Sequence, residues 1–291
     1  MRKKKKKWLL PGIVCGAVVL TAGCGFSAGE KDIIYVGHNQ ASDHPTNIAL
    51  LAFEEFIESR LGDKYDVEVY PSELLGSQTD MVQLTQTGAI DICVASNSIL
   101  ETFSENYTLF NMPYLFASEE AYHAAMDDES ITSPIFESTK DAGFQAVTWI
   151  DAGTRNFYTV STPIQTPADL KGLKIRVQDM KSQTDMLTAL GGTPVAMSYG
   201  DVYTSLQTGI IDGTENNETA LTTGKHGEIC KVYSTDQHAM IPDVMVMSAK
   251  VWKEISPEDQ QIILEAARES TESHKIAWDT AIDQAIEEAK N

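Results

Sequence analysis

The sequence predicts an α/β chain of two domains, each built on a mostly parallel sheet. Three observations carry this expectation. Short apolar runs of strand length alternate with segments of helical period over residues 33–95. The same alternation resumes at residue 147. The 291 residues, less an N-terminal leader, suffice for two ordinary domains.

The leader comes first. Arg2 and the five lysines Lys3 to Lys7 precede an apolar stretch over 8–20, closed by Leu20-Thr21-Ala22-Gly23-Cys24. A basic n-region, a short h-region and small residues at a cleavage site make a secretory signal, and the apolar stretch is short for a bilayer span. It resembles a bacterial lipoprotein signal, in which the cysteine, here Cys24, is acylated and becomes the new N-terminus. Residues 1–23 are then signal peptide and 24–31 a lipid-attached linker, and the chain is expected outside the cytoplasmic membrane, anchored through its lipid.

Residues 33–36 (Ile-Ile-Tyr-Val) read as a buried strand ending at Gly37. Ile48, Leu51, Ala52, Phe56 and Ile57 recur at helical spacing, so 46–61 is a helix stopped by Gly62. Residues 67–70 form a strand before Pro71, 78–87 a helix before Gly88, and 90–95 a third strand. In the second half 147–150 is a strand. Thr166-Pro167-Ala168-Asp169 starts a helix, with Thr as cap and Pro at its first position. Residues 174–177 are a strand, 181–190 a helix ending at Gly191-Gly192, and 199–208 a helix capped by Ser198. Residues 210–213 turn the chain into Thr214-Glu215-Asn216-Asn217, and 245–248 are a late strand. From Ser256-Pro257-Glu258-Asp259 one long helix runs through Ile262, Ala266, Ile276 and Ile286, a spine long enough to span two lobes.

Charge narrows the partners. The formal net charge is -20; residues 1–23 hold six Lys/Arg and no acidic residue, and removing those six leaves -26 on the remainder. No basic patch offsets phosphate, so nucleic acid is excluded as a partner. An anionic ligand would need a local cationic clamp against this field. Beyond the leader the arginines are Arg60, Arg155, Arg176 and Arg268, and each needs an explanation. Cys93 reads as a core strand residue; with Cys230 it makes neither a disulfide framework nor a zinc pattern, and a single bridge between them stays open. P-loop, H-E-x-x-H, G-x-S-x-G and dinucleotide fingerprints are lacking, so no cofactor, metal or catalytic residue is expected.

Longer motifs then carry a resemblance. Tyr70-Pro71-Ser72-x-Leu74-Leu75-Gly76 and Gly88-Ala89-Ile90-Asp91, then residues 166–177, 202–209 and Asp212-Gly213-Thr214-Glu215-Asn216, resemble substrate-binding proteins of TRAP (tripartite ATP-independent periplasmic) transporters, the DctP-like family, over about residues 32–290. The resemblance implies a two-lobe periplasmic-binding-protein-like fold, with a ligand cleft between lobes and a long spine helix. Lobe I would be 32–152 with 242–281, and lobe II 153–241 with 282–291. It implies no turnover, capture of a small organic acid, and delivery to the membrane permease subunits of an ion-driven transporter. It also implies a further strand and helix after the spine; with the sequence ending at Asn291, either this is a truncated or shorter form or that lobe is finished differently, and if the missing part normally covers apolar surface the lobe is expected to be less stable.

Arg176 lies on a strand between Ile175 and Val177, so its side chain takes the opposite face. A planar guanidinium grips a carboxylate through two parallel hydrogen bonds. Spacing leaves a ligand clamp and a structural ion pair open; the resemblance implies the clamp. It implies a second arginine at Arg155, where a hinge salt bridge is the alternative. It also places Asn216 against ligand hydroxyls and Tyr199 against a sugar ring or carbon chain. Asn39, Gln78, Ser96 and Asn97 fall at first-lobe positions that face the cleft. Asp179, Asn217 and the loop residue His44 complete the candidates; Asn217 and Glu215 could equally serve local structure, and His38 and His238 read as surface or core residues. One clamp beside several neutral hydrogen-bonders suits a polyhydroxy acid, and the wording around Arg155, Arg176 and Asn216 is similar to members that bind hexuronates. D-Glucuronate or D-galacturonate is therefore expected, with a C4-dicarboxylate, sialic acid or a signalling role as alternatives. An extracellular glycosidase using Asp212 and Glu215 is the enzyme alternative; Asp212 beside Gly213 reads better as a turn former.

Overall fold

The computed structural model describes residues 31–290. The leader, Cys24 and linker residues 24–30 lie outside the described residues.

Ten strands are present among these residues: β1 (Asp32–Gly37), β2 (Tyr65–Tyr70), β3 (Ile92–Ser96), β4 (Phe144–Ile150), β5 (Arg155–Thr159), β6 (Lys174–Val177), β7 (Thr193–Ala196), β8 (Gly213–Asn216), β9 (Val232–Ala239) and β10 (Asp243–Ser248). The α-helices are α1 (Pro45–Leu61), α2 (Gln78–Thr87), α3 (Asn97–Leu100), α4 (Glu119–Met126), α5 (Glu129–Phe136), α6 (Lys181–Ala189), α7 (Val202–Gln207), α8 (Thr219–Thr222), α9 (Ala249–Trp252) and α10 (Pro257–Ala289). The strands form two five-stranded sheets, in the orders β2-β1-β3-β10-β4 and β7-β6-β8-β5-β9. The first has β2, β1 and β3 parallel, with β10 antiparallel to both β3 and β4. The second has β7, β6 and β8 parallel, with β5 antiparallel to both β8 and β9. Both sheets are therefore mixed rather than simply parallel. The reversed strand in each, β5 or β10, is the one that has just crossed from the other lobe, and antiparallel pairing admits it without a crossover helix.

Two short connections, 151–154 and 240–242, join the lobes. In the first, Gly153 has φ +62° and a Cβ there would sit 2.8 Å from the Trp278 ring of α10, so only glycine suits this turn. The third link is α10. Ser256 accepts the Asp259 N–H at its start and Pro257 occupies its first turn. Its 33 residues reach about 50 Å, packing along α1 and β4 and touching α8 of the second lobe.

Both faces of the first sheet are covered. Ile92 and Val94 pack with Leu50, Phe53 and Ile57 of α1 and with Ile263 and Ala266 of α10. Cys93 and Ala95, one residue out of phase, face Met81 and Val82 of α2 with Tyr107 and Phe144. Double coverage explains why β3 and β10 are apolar at nearly every position. Cys93 and Cys230 are unpaired thiols in the cores of different lobes, so the bridge left open by the sequence is not formed. Burial pushes each thiol up to about 12.

Some local expectations need correction. The helix expected at 166–169 is one 3-10 turn, Pro167–Leu170, closed by the Thr166/Asp169 capping box; Gly172, at φ +84°, then turns the chain toward β6. Residues 199–208 divide into a 3-10 turn (Tyr199–Asp201) and α7. Asn216 is the last residue of β8 rather than part of the segment after it.

Four of the buried histidines make the fold acid-sensitive; His238 is the exception, since Asp236 and Glu215 outweigh its burial and raise it. Burial lowers His38, His226 and His274 to about 4 and moves His44 down as well. An unfolded histidine titrates near 6.5. Between those values the unfolded chain binds protons that the native chain refuses, so stability falls as pH falls, at about 1.4 kcal/mol per pH unit for each group. Asp243 opposes this: burial first of all pushes its carboxyl up to about 7, so its contribution is lost as pH rises from about 4 to 7. With the four lowered histidines outnumbering it, the urea midpoint is expected to drop steeply from pH 6.5 to 4.5. A flat profile there would show that these imidazoles are solvated.

Candidate ligand-binding cleft

A cavity of about 270 Å³ lies between the lobes, walled by segments at strand ends of both sheets. Such crevices are where open α/β sheets present ligand contacts. The lobes also touch across it: Ser98 Oγ donates to Gln178 Oε1 at 2.8 Å and Ser182 N donates to Glu101 Oε1 at 3.0 Å.

Arg176 stands in the cavity wall on β6. Its neighbours Ile175 and Val177 anchor the second-lobe core, which turns the guanidinium to the other face. Nε and Nη2 donate to the Met197 carbonyl at 3.1 and 2.9 Å. Among the described residues no carboxylate forms an ion pair with it. The side chain is 3% exposed, and burial pulls its pKa below the usual guanidinium value. A cation so held calls for an anionic partner.

Arg155 behaves differently. Its Nε and Nη2 grip Glu215 Oε2 and Oε1 at 2.5 and 2.9 Å, and Nη1 donates to Asn216 Oδ1 at 3.2 Å. The hinge salt bridge weighed as its alternative is the arrangement seen: Arg155 follows the 151–154 crossing and its fork is spent on Glu215, although it still borders the cavity. The network continues through His238 Nε2, 3.4 Å from Glu215 Oε2, to Asp236 Oδ2, 2.7 Å from His238 Nδ1. Burial alone would push the Glu215 carboxyl up, but Arg155 and His238 outweigh it and hold it down to about 2. Asp212 does not join Glu215 across the cleft; its Oδ2 accepts the Lys174 N–H at 2.8 Å.

Asn39, Gln78, Asp179, Tyr199, Asn216 and Asn217 also line the cavity. Asn39 Oδ1 is buried without a partner among the described residues. Gln78 Oε1 accepts the Ser96 N–H at 3.2 Å, and Asn216 Oδ1 accepts from Arg155 and from Asn217 N. In both, the amide NH2 is left as a donor. Asn217 is committed to structure: Nδ2 donates to Ala152 O and Oδ1 accepts from Thr219. Tyr199 packs its ring 5.5 Å from His226.

Three expected residues are not in the wall. Ser96 Oγ is buried and lies 3.2 Å from Ser98 Oγ, donating to it, since the Ser98 hydrogen goes to Gln178. Asn97 opens α3 and turns inward, with Nδ2 donating to Tyr107 O and Asn111 Oδ1, each at 2.7 Å. His44 caps α1: Nδ1 accepts the Thr46 N–H, and Nε2 meets Thr219 Oγ1 at 3.1 Å, tying one lobe to the other. Conversely, Glu73, Gln178 and Asp243 line the cavity without having been singled out as site residues. The one signal for Asp243 was an acidic residue opening an otherwise apolar strand after Pro242.

The other arginines are accounted for. Arg60 lies over Phe56 and pairs with Glu265, and Arg268 borders a separate groove on the first lobe. Metal-ligand spacing among the described residues occurs at Glu119, His123 and Asp151, where the 2.6 Å His123–Asp151 ion pair accounts for the grouping. No helix of the described residues is long and apolar enough to cross a membrane.

The profile of bacterial extracellular solute-binding protein family 7, DctP, matches residues 36–291. The YiiZ protein of Salmonella typhimurium is 41% identical over 259 residues, 89% of this chain and 79% of the relative. A TRAP periplasmic solute-binding protein of Anaerococcus prevotii, solved with α/β-D-glucuronate, is 55% identical with a TM-score of 0.88, over 89% of this chain and 84% of that one. Another from Xanthobacter autotrophicus, solved with β-D-galacturonate, is 30% identical with a TM-score of 0.86, over 88% and 86% of the two chains. Its two-lobe α/β architecture is that of these proteins, and its role is binding rather than turnover. The chain belongs to solute-binding protein family 7, the DctP family, and is an extracytoplasmic solute-binding protein of the TRAP type.

Proposed function

We propose that this protein captures a hexuronate, D-glucuronate or D-galacturonate, and delivers it to the membrane subunits of a TRAP permease. The observation that carries the reading is Arg176: a buried guanidinium in the cavity wall with no acidic partner among the described residues. The ligand carboxylate completes it. Asn39, Gln78 and Asn216 then meet hydroxyls with their remaining amide groups, Tyr199 lies along the ring, and Asp179 stands at the exposed rim. A C4-dicarboxylate fits less well: Arg155 is occupied by Glu215, and the rest of the wall adds Glu73 and Asp243 instead of a second free cation. The uronates bound by the Anaerococcus and Xanthobacter proteins support the same class.

The lobes we assign are 32–152 with 242–281 and 153–241 with 282–291, closing about the crossings over the acid. Cys24 is the proposed lipid attachment that keeps the protein beside its permease. Calorimetry with D-glucuronate, D-galacturonate and succinate tests the ligand: both uronates are expected to bind and succinate to bind far more weakly. Tighter succinate binding would overturn the assignment. Mass spectrometry of membrane-extracted protein should find acyl chains on Cys24, and Cys24→Ala should free the protein from the membrane.

A further inference from the structure

We propose that Glu73 is a specificity-determining residue and a ligand-coupled latch: one carboxylate oxygen accepts a hydrogen bond from a hydroxyl of the bound acid, while the other holds the Gly200 N–H of the opposite lobe. This rests on the ligand being a hydroxylated monocarboxylate. Glu73 follows β2 in the first lobe and lines the cavity. Its Oε2 accepts the Gly200 N–H of the second lobe at 3.2 Å. Its Oε1 is buried and, among the described residues, has no hydrogen-bond partner. A carboxylate has room for several donors, and leaving one oxygen dry without any is costly.

The backbone around Glu73 supports the assignment. Ser72 and Glu73 both have φ 57°, two consecutive non-glycine residues in the left-handed region. Such strain persists when its surroundings enforce it, and it clusters at ligand clamps. Here the Ser72 N–H is held by Gln40 O at 2.9 Å and the Glu73 N–H by His38 O at 3.1 Å. Both acceptors flank Asn39 on the adjoining cavity wall. Gly200 is matched to its partner, because a Cβ at that position would run into Glu73 Oε2. Burial raises the Glu73 carboxyl while the Gly200 N–H works against that rise, as expected of a carboxylate short of donors. An acceptor in this place favours a ligand hydroxyl and repels a second ligand carboxylate. It therefore selects a sugar acid over the corresponding diacid.

The test titrates D-glucuronate and D-glucarate into the wild-type protein, Glu73→Gln and Gly200→Ala by calorimetry, with amide exchange at Gly200 followed in the absence of ligand. Wild type should prefer glucuronate. Glu73→Gln removes one acceptor and the charge; it should weaken glucuronate about 10- to 100-fold and glucarate much less, so the preference narrows. Gly200→Ala should weaken both acids alike by obstructing the lobe contact. Unchanged glucuronate affinity in Glu73→Gln, or equal losses for the two acids, overturns the specificity role. Unchanged binding in Gly200→Ala overturns the latch. If wild type binds neither acid, the ligand reading fails and the hydroxyl-acceptor role falls with it. The latch is then decided by exchange: slower exchange of the Gly200 amide in wild type than in Glu73→Ala sustains it, and equal rates overturn it.

Discussion

Arg176→Lys is expected to weaken D-glucuronate binding by at least 100-fold, about 3 kcal/mol. Lysine keeps the charge but carries it as a point, so the two parallel bonds to a carboxylate are lost. The shorter reach also abandons Met197 O, which now takes both Nε and Nη2. The stability of the unliganded protein separates this role from a structural one. Arg176 is buried with desolvation as the first influence on its pKa, so the apo fold bears the cost of a cation that only ligand compensates. Arg176→Gln keeps a donor for Met197 O and removes the charge. Its apo melting temperature should be no lower than wild type, while the rise normally produced by saturating glucuronate should vanish. Calorimetry and thermal unfolding, each with and without ligand, measure both effects. A large apo destabilisation with intact affinity would make Arg176 a structural residue.

Glu215→Ala is expected to have the opposite profile. Glu215 is fully buried against Arg155, which is 4% exposed, with His238 beside it. Removing the acid strands the buried Arg155 guanidinium, while His238 keeps Asp236, and breaking such a pair costs about 3–5 kcal/mol. For a chain of this size that lowers the melting temperature by on the order of 10 °C. The carboxyl is held down to about 2, so its contribution is present above the unfolded value near 4.5 and is lost as pH falls from there toward 2. Arg155→Met combined with Glu215→Met should recover part of the loss, since hydrophobic replacement of both partners is often tolerated. Urea unfolding of the single and double variants measures this. A single-variant loss below about 1 kcal/mol would mean that water reaches the pair.

These two residues show how far the sequence could be read. Arg176 was legible because strand alternation needs only its neighbours: apolar Ile175 and Val177 on one face leave the arginine on the other. Arg155 was half legible. Its place after the crossing turn could be seen, but not that Glu215, paired through β5 and β8, would occupy its fork. Asn39 and Asn97 look alike, each an asparagine near the end of an apolar strand. Asn39 stays at the cavity, whereas Asn97 starts a helical turn whose phase swings its amide inward to Tyr107 and Asn111. Glu73 had no local signature, since what aims it is a strained loop pinned by the segment 38–40.

Although β5, β7, β9 and the helices between β3 and β4 escaped it, the sequence by itself determined the strand–helix alternation over 33–95, the caps and glycines that bound those elements, the face that Arg176 takes on its strand, and the motifs of its family. These follow from covalent neighbours and periods of two or 3.6 residues, which any local stretch displays. Only the tertiary structure decided the two mixed sheets, which arginine is left without an acidic partner, and which polar side chains border the cavity. Those outcomes depend on groups far apart in the chain competing for the same hydrogen bonds, and the winner is set by distances that exist only once the lobes have packed.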